Sequence, residues 1–228
     1  YLRRNPHVVP PEGRRQVSVK PGASRCYPAS RTLPRFNYLD GADHFTSACS
    51  AIVYRDQLFG EAFVGNSFVS EPVHNLIHRE VMSGDGVTFN SRRAVDEQES
   101  EFLASRYNWF RPTMIKVGPD GASYIADMYR EVIEHTQYIP RELQKGLSVR
   151  AGEDRGRIYR VSPIGITLPA VPRFDSMNTA ELVQTLESPS GWQRDTVQRL
   201  LIHREDARAV ALLEAMVASG KRPQARLH

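Results

Sequence analysis

The chain has 228 residues, of which 40% are hydrophobic and 25% charged, proportions typical of a globular protein with a sizeable core. Its formal net charge is +4, but the arginines are spread along the chain and often stand beside acids, so we predict no nucleic-acid partner. No segment approaches the roughly 20 apolar residues that a membrane-spanning helix needs, so we predict no transmembrane segment in this chain.

The chain contains two cysteines, Cys26 and Cys49. They could form one disulfide in an oxidising compartment or remain two buried thiols, and their spacing does not decide between these states. The sequence has no CxxC motif, CxxCH motif or Cys/His cluster. We therefore predict no metal site and no covalently attached haem within this chain.

The first 50 residues are rich in Pro, Arg and Gly, a composition that favours extended segments and loops. From about residue 51 the pattern changes to short β-type runs separated by turn residues. We predict strands at 51–54, 62–64, 67–70 and 75–78 and, after a hairpin turn at 83–86, a further strand at 87–89.

An internal repeat gives the strongest indication of architecture. The segment 65–71 aligns without a gap on 121–127, with Gly, Ser, an aromatic, a β-branched residue and an acid at matching places. The offset of 56 residues suits one propeller blade of four strands plus loops. Chance similarity between two hairpins is the alternative.

The second copy lies in a predicted hairpin. Residues 114–117 form a β-type run, and Pro119-Asp120-Gly121 supplies the fixed φ, the side-chain bond and the positive φ of a turn. The hairpin ends at 127–130, and a last strand is predicted at 156–161. In each copy an acid closes the strand.

After residue 163 the hydrophobic period becomes helical. We predict the C-terminal blades of a β-propeller over 1–163, a linker over 164–175, and over 176–228 the start of short helices that stack as HEAT or armadillo repeats do. Asn178 begins a capping-box-like start, further helices run over 192–203 and from about 206, and Gly220 is a stop signal.

An ordered set of motifs extends over nearly the whole chain. It resembles the PVC-type haem-binding CxxCH proteins, also described as membrane-bound dehydrogenases. The motifs are at 30–37, 45–49, 65–75, 102–105, 109–112, 118–121, 127–130 and 133–135.

The resemblance implies a fold that is mainly β. A six-bladed β-propeller similar to quinoprotein glucose or sorbosone dehydrogenases precedes HEAT-like repeats, and a cytochrome c-type domain of the same protein follows. This chain matches later blades and the first helical repeat. The resemblance further implies pyrroloquinoline quinone and Ca²⁺ in a complete propeller, and haem c outside this chain. It also implies an extracytoplasmic (periplasmic or membrane-associated) bacterial location. For that location we predict that Cys26 and Cys49 are linked by a disulfide.

The loops that close the two repeated strands supply the candidate site, because propeller loops at one end surround the ligand channel. Oxidation of a sugar or alcohol needs a base and a cation that stabilises developing negative charge. The candidate catalytic residues are therefore His74, Arg130 and Asp127. The candidate ligand-binding residues are Glu71, Asn75, Arg111, Tyr129, Glu134 and His135.

Structural roles compete with these functional ones. Glu71 and Asp127 could close turns by accepting backbone N–H bonds, and Arg111 could anchor a blade by pairing with a carboxylate. Trp109 and the following Phe110 are more typical of packing between blades than of stacking on a sugar. His78 lies four residues after His74, a spacing that in a strand only places both on one face.

The resulting functional hypothesis is a fragment of an extracytoplasmic quinoprotein-dehydrogenase-like protein that oxidises sugars or alcohols and passes electrons to a c-type haem outside this chain. We expect no turnover from this fragment alone. One alternative is a non-catalytic propeller and helical-repeat module that binds a protein or polysaccharide partner. Another is a carbohydrate-cleaving enzyme with two carboxylates about 5–10 Å apart.

Overall fold

The computed structural model describes residues 25–30 and 43–228. Most of the loop-rich segment expected at the start of the chain, and most of the motif at 30–37, lie outside the described residues. The described chain contains two antiparallel β-sheets followed by a short helical segment. Within it, no helix is long and apolar enough to cross a membrane.

The first sheet is an antiparallel meander in which consecutive strands pair side by side. A short fifth strand pairs with the beginning of the third. Its strands are β1 (Cys49–Val53), β2 (Ser67–Glu71), β3 (Leu76–Asp85), β4 (Thr88–Arg93) and β5 (Leu103–Ala104).

The second sheet is a three-stranded antiparallel meander. Its strands are β6 (Pro112–Val117), β7 (Ser123–Asp127) and β8 (Arg157–Val161), and a four-residue helix, α1 (Arg141–Gln144), lies in the connection between β7 and β8.

The internal repeat corresponds to two strands in equivalent positions. The bounds of β7 are those of β2 shifted by 56 residues. In the first sheet Val53 at the end of β1 pairs with Ser67, and in the second Val117 at the end of β6 pairs with Ser123. The two meanders therefore share one register around their second strand.

One hydrophobic core joins the two sheets. Phe68 and Ile77 from the first sheet cluster with Ile115 and Ile125 from the second, and all four are almost fully buried. The hydroxyl of buried Tyr54 donates to the carbonyl of Gly121 at 2.9 Å, which ties the β1–β2 loop to the β6–β7 turn. Burying each large side chain contributes about 1.5–3 kcal/mol, so the sheets stabilise one another.

The helical segment has a hydrophobic core of its own. Asn178 and Glu181 form a reciprocal capping box at its start, as the sequence predicts, and the helix from 191 carries buried Val197 and Leu201. Its helices are α2 (Thr179–Thr185), α3 (Gly191–Arg204), α4 (Ala209–Ser219) and α5 (Pro223–Leu227).

Helix α3 is fixed to the loop that follows β1. The Gly191 N–H donates to the Arg55 carbonyl at 2.7 Å, and Arg55 also forms an ion pair with Asp195. A Cβ atom at position 191 would lie 2.7 Å from the Arg55 Cβ, so the close approach requires glycine.

One predicted strand is wrong. Residues 62–64 do not form a strand but belong to a 3₁₀ turn at Glu61–Phe63. Gly60 and Gly65 adopt positive φ on either side of it, and the Asn66 side-chain amide donates to the Ala62 carbonyl at 2.7 Å. These local bonds close a turn where the apolar run Ala-Phe-Val indicated a strand.

Candidate functional site

The carboxylate of Glu71, at the end of β2, is completely buried. It accepts backbone N–H bonds from Thr46 at 3.1 Å, from Ser47 at 3.0 Å and from Val73 at 3.3 Å. Glu71 thus holds the turn after β2 and the segment before β1 together.

Asp127 does the same at the end of β7. Its Oδ1 accepts the N–H of Arg111 and the N–H of Tyr129, both at 2.8 Å, and its Oδ2 lies 4.0 Å from the Nε of Arg157. Each acid therefore accepts the N–H of the residue two positions further on, which is how short acidic side chains close turns. The geometry favours the structural role for both acids.

Arg111 joins the two turns. Its buried guanidinium donates to the carbonyls of Pro72 (3.0 Å) and Val73 (3.3 Å) after β2, and to those of Arg130 (2.9 Å) and Glu131 (2.7 Å) after β7. The planar fork of five N–H donors suits such a site, and a lysine could not match it. The ends of the two repeated strands consequently lie together at one end of the sheets.

Asn75 supports the same region from the first sheet. It is fully buried and adopts a left-handed backbone, with φ of 59°. Its side-chain amide donates to the carbonyls of Asn108 at 2.9 Å and Phe110 at 2.5 Å, and its Oδ1 accepts from the Ser30 hydroxyl at 2.8 Å. Asn75 therefore fixes the path of residues 108–110.

The remaining candidate catalytic residues are also engaged by the scaffold. His74 is buried, its Nε2 accepts the Asp43 N–H at 3.2 Å, and its Nδ1 lies 3.6 Å from a Glu71 oxygen. The Arg130 guanidinium donates to the carbonyl of Tyr129 at 3.2 Å. His74 is thus buried within the scaffold, whereas the Arg130 side chain is only partly buried.

The last two candidate ligand-binding residues lie in the loop after β7. A carboxylate oxygen of Glu134 accepts the N–H of Ile133 at 3.2 Å. His135 is exposed, and its Nδ1 accepts the Gln137 N–H at the start of a 3₁₀ turn. Both contacts stabilise the local course of this loop.

A partly exposed aromatic cluster lies at the same end, and of its members sequence reasoning proposed only Tyr129 as a ligand-binding residue. We call Tyr107, Trp109 and Tyr129, together with Arg157, the aromatic surface. Ring centroids of neighbouring members are 5.7–6.2 Å apart. The Tyr129 hydroxyl donates to that of Tyr107 at 3.2 Å, and the Arg157 guanidinium lies 4.1 Å above the Tyr129 ring. Trp109 was the available signal, but its sequence context favoured packing.

The aromatic surface is held by the buried residues below it. Tyr129 adopts φ of 51°, which is strained for a bulky residue and is maintained by the Asp127 bond to its N–H. Gly152 packs so closely that a Cβ atom there would lie 2.4 Å from the Tyr129 carbonyl oxygen. The scaffold therefore fixes the Tyr129 ring in one position.

A second polar cluster lies inside the first sheet, around His78. Its Nδ1 lies 2.7 Å from Glu101 Oε2 and its Nε2 lies 3.0 Å from Glu80 Oε1. Arg93 donates to the other Glu101 oxygen at 2.7 Å. These side chains are all nearly inaccessible to solvent.

Mutual bonding shifts the pKa values in this cluster. Burial disfavours the charged imidazole, but the hydrogen bonds to Glu101 and Glu80 outweigh it and raise the pKa of His78 above 6.5. Burial likewise opposes ionisation of Glu101 and Glu80, yet the bonds from His78 lower both carboxyl pKa values below 4.5. The cluster is thus an ion-pair network that stabilises the first sheet.

The predicted disulfide does not form in the structure, where both cysteines are free thiols. Cys26 is buried and its N–H donates to the Asp43 carbonyl, whereas the Cys49 thiol lies 3.6 Å from the Thr113 carbonyl on β6. Burial raises the pKa of both thiols. Each sulfur occupies a separate environment, which sequence spacing could not show.

Within residues 25–30 and 43–228, no group of three or more His, Cys, Asp or Glu side chains is arranged to hold a metal ion. The carboxylates of Glu71 and Asp127 are bonded to backbone N–H groups. The described donors therefore do not fit the Ca²⁺ that the family resemblance implies.

Comparison with known proteins identifies one family. A model described as a domain of unknown function, DUF7133, matches residues 1–164 and so covers more than half of the chain. The chain belongs to this family. No curated protein and no solved structure shows a significant match.

Replacement of Arg111 by lysine is expected to lower the free energy of unfolding by about 3 kcal/mol or more, because buried carbonyls in both turns lose their donor. Urea unfolding followed by circular dichroism measures this change. The matched control is Arg92→Lys at an exposed position of β4, which should change the free energy of unfolding little. Equal stabilities of the two variants would contradict the role assigned to Arg111.

The His78 cluster predicts a pH dependence. The raised pKa of the imidazole contributes stability below pH 6.5, and this contribution is lost as the pH rises through the pKa of the folded state. The lowered carboxyl pKa values contribute stability above pH 4.5. His78→Gln should therefore lose most stability, relative to wild type, between pH 4.5 and 6.5, and less at alkaline pH. Unfolding curves measured across this pH range test the prediction, with the exposed substitution His135→Gln as control. A stability difference between wild type and His78→Gln that does not change with pH would refute the ion-pair network.

Proposed function

We propose that this member of the DUF7133 family is a carbohydrate-binding module built on two successive propeller blades. Its ligand is an acidic polysaccharide, which binds at the aromatic surface. The observation that carries this proposal is a cluster of two rings with exposed area, Tyr107 and Trp109, and two arginines, packed on buried Tyr129 and on the hydrogen bonds that fix it.

The blade assignment is supported by the repeat. In the two antiparallel meanders the second strands have the same bounds shifted by 56 residues, and the meanders share one core. The strands follow one another without crossover, as in propeller blades. Arg111 draws the turns after the second strand of each meander to one end, which is where propellers present ligand-binding loops.

The aromatic surface supports carbohydrate as the ligand class. Tyr107 is 54% exposed, and its ring is inclined by only 32° to that of Trp109. These two tilted neighbouring rings offer an apolar surface with a hydroxyl at its edge, which suits the C–H face and the hydroxyl rim of a sugar. The rings lose little conformational entropy on binding because the scaffold already orders them.

The flanking charges favour an acidic sugar. Arg155 and Arg157 both act electrostatically on the Tyr107 hydroxyl, and their side chains are 65% and 40% exposed. Guanidinium groups pair bidentately with carboxylates and sulfates. A uronate or sulfated sugar stacked on the rings would place its anionic group beside these arginines.

The buried polar residues support binding over catalysis for this part of the chain. A general base must reach the proton that it removes. The His74 ring instead bonds the Asp43 N–H, and Asp127 Oδ1 receives two backbone N–H bonds. These groups hold the module together beneath the surface that contacts the ligand.

Trp109→Ala is expected to weaken binding of polygalacturonate at least about tenfold, as for a central aromatic contact. Calorimetric titration of the wild type should give a measurable affinity for polygalacturonate and a weaker one for its methyl-esterified form, in which the carboxylates are neutral.

The matched control is Tyr138→Ala, which removes an exposed ring elsewhere in the chain and should leave the affinity unchanged. Equal binding by wild type and Trp109→Ala, or no binding of polygalacturonate by wild type, would overturn the proposal. Binding of acidic proteins in place of the polysaccharide would do the same.

A second candidate is the dehydrogenase-like function that the family resemblance implies. The specific observation in its favour is the convergence of two equivalent strand ends at one end of the sheets. In this proposal the domain is part of an extracytoplasmic protein that oxidises a sugar or alcohol, with electrons passing to a c-type haem domain elsewhere in that protein. The described residues supply no step of that reaction.

Dye reduction by the full-length protein tests this second candidate. The assay uses pyrroloquinoline quinone, Ca²⁺ and a panel of sugars and alcohols. The dehydrogenase proposal predicts cofactor-dependent reduction with at least one substrate. No reduction, together with no heat of cofactor binding in calorimetry, would reject it and leave the binding proposal untouched.

A further inference from the structure

A cleft of about 800 Å³ lies at the opposite end of the sheets from the aromatic surface. Its walls come from the last residues of β1 and β6 and from helix α3. Because β1 and β2 are antiparallel, as are β6 and β7, these strand ends are remote from Glu71 and Asp127. The volume is in the range of small-molecule sites.

The cleft carries an excess of positive charge. Arg55, Lys116 and Arg199 line it together with one acid, Asp195. Arg55 is already paired with Asp195. Among the described residues, neither Lys116 nor Arg199 forms an ion pair, although the Arg199 guanidinium donates within α3 to the Asp195 carbonyl at 3.3 Å and the Thr196 hydroxyl at 3.4 Å. The positive charges of Lys116 and Arg199 are therefore not neutralised by a carboxylate.

The rest of the lining is apolar and aromatic. Ile52 and Val53 from β1 and Val117 from β6 form one wall, and Trp192 from α3 lies in the other. The Trp192 ring is partly buried against Phe174 of the helical core, at 6.1 Å between centroids. A flat apolar group could therefore occupy the cleft against a ring of fixed orientation.

Two backbone amides in the first turn of helix α3 are already engaged. The Gly191 N–H is bonded to the Arg55 carbonyl, and the Gln193 N–H is bonded to the Ser190 hydroxyl. We therefore assign recognition of an anion to the charged side chains of Lys116 and Arg199, which line the cleft.

We propose that this cleft binds a small organic anion with a planar apolar body and one acidic group, such as a sulfonate, carboxylate or phosphate. The acidic group pairs with Lys116 and Arg199, and the planar body lies between the β1–β6 wall and Trp192. This site does not depend on carbohydrate binding at the other end of the sheets.

The test titrates the chain with the fluorescent probe 1-anilinonaphthalene-8-sulfonate and with its uncharged analogue N-phenyl-1-naphthylamine. Wild type should bind the sulfonate at one saturable site and more tightly than the neutral probe. The double substitution Lys116→Gln with Arg199→Gln should raise the Kd of the sulfonate at least about tenfold, as expected for losing two charge-assisted contacts.

The matched control is Arg141→Gln with Lys145→Gln, which removes the same charge from an exposed residue of α1 and from the exposed residue that follows the helix. It should leave the Kd unchanged, and circular dichroism should show both double variants folded. Equal affinity for the two probes, or sulfonate binding that survives loss of Lys116 and Arg199, would overturn the proposal, because the probe would then be bound at another apolar surface.

Discussion

The described structure depends on one buried guanidinium. Arg111 donates to carbonyls in the turn after β2 and in the turn after β7, and so converts two separate meanders into one unit with a common end. A buried charge is costly unless its donors are satisfied, so this arrangement persists only while both turns keep their shape. Glu71 and Asp127 maintain the shape of the two turns, because each accepts a backbone N–H bond within its own turn.

This constraint separates the buried polar residues, which maintain the fold, from the residues nearer the surface. Below the surface, polar residues that the sequence suggested as a general base or a ligand-binding cation form hydrogen bonds with backbone groups. Above them, Tyr107, Trp109 and Tyr129 stand on segments whose course Asn75 and Arg111 determine. At the opposite strand ends, Lys116 and Arg199 are paired with no carboxylate of the described residues, although Arg199 donates to the Asp195 carbonyl, and we expect the two ends to favour different ligands.

Local patterns in the sequence predicted local structure well. The 56-residue repeat identified two equivalent strands, and Asn178 and Glu181 identified a helix start, because hairpin register and capping depend on neighbouring residues. Long-range partners were not predictable. The carbonyls that receive Arg111 lie up to 39 positions away, and the spacing of Cys26 and Cys49 does not indicate their contacts with the Asp43 and Thr113 carbonyls. The exposure of Trp109 likewise depends on how Asn75 directs its segment, which no local pattern encodes.

Native-state hydrogen exchange tests the central claim, that Arg111 makes the two sheets one cooperative unit, most directly. Amides of β2–β3 and of β6–β7 would be followed by mass spectrometry as urea is raised below the unfolding transition. The account predicts that the opening free energies of both sheets converge on one value, since neither can open without breaking the shared bonds. Opening of β6–β7 at a distinctly lower free energy, with β2–β3 still protected, would contradict it.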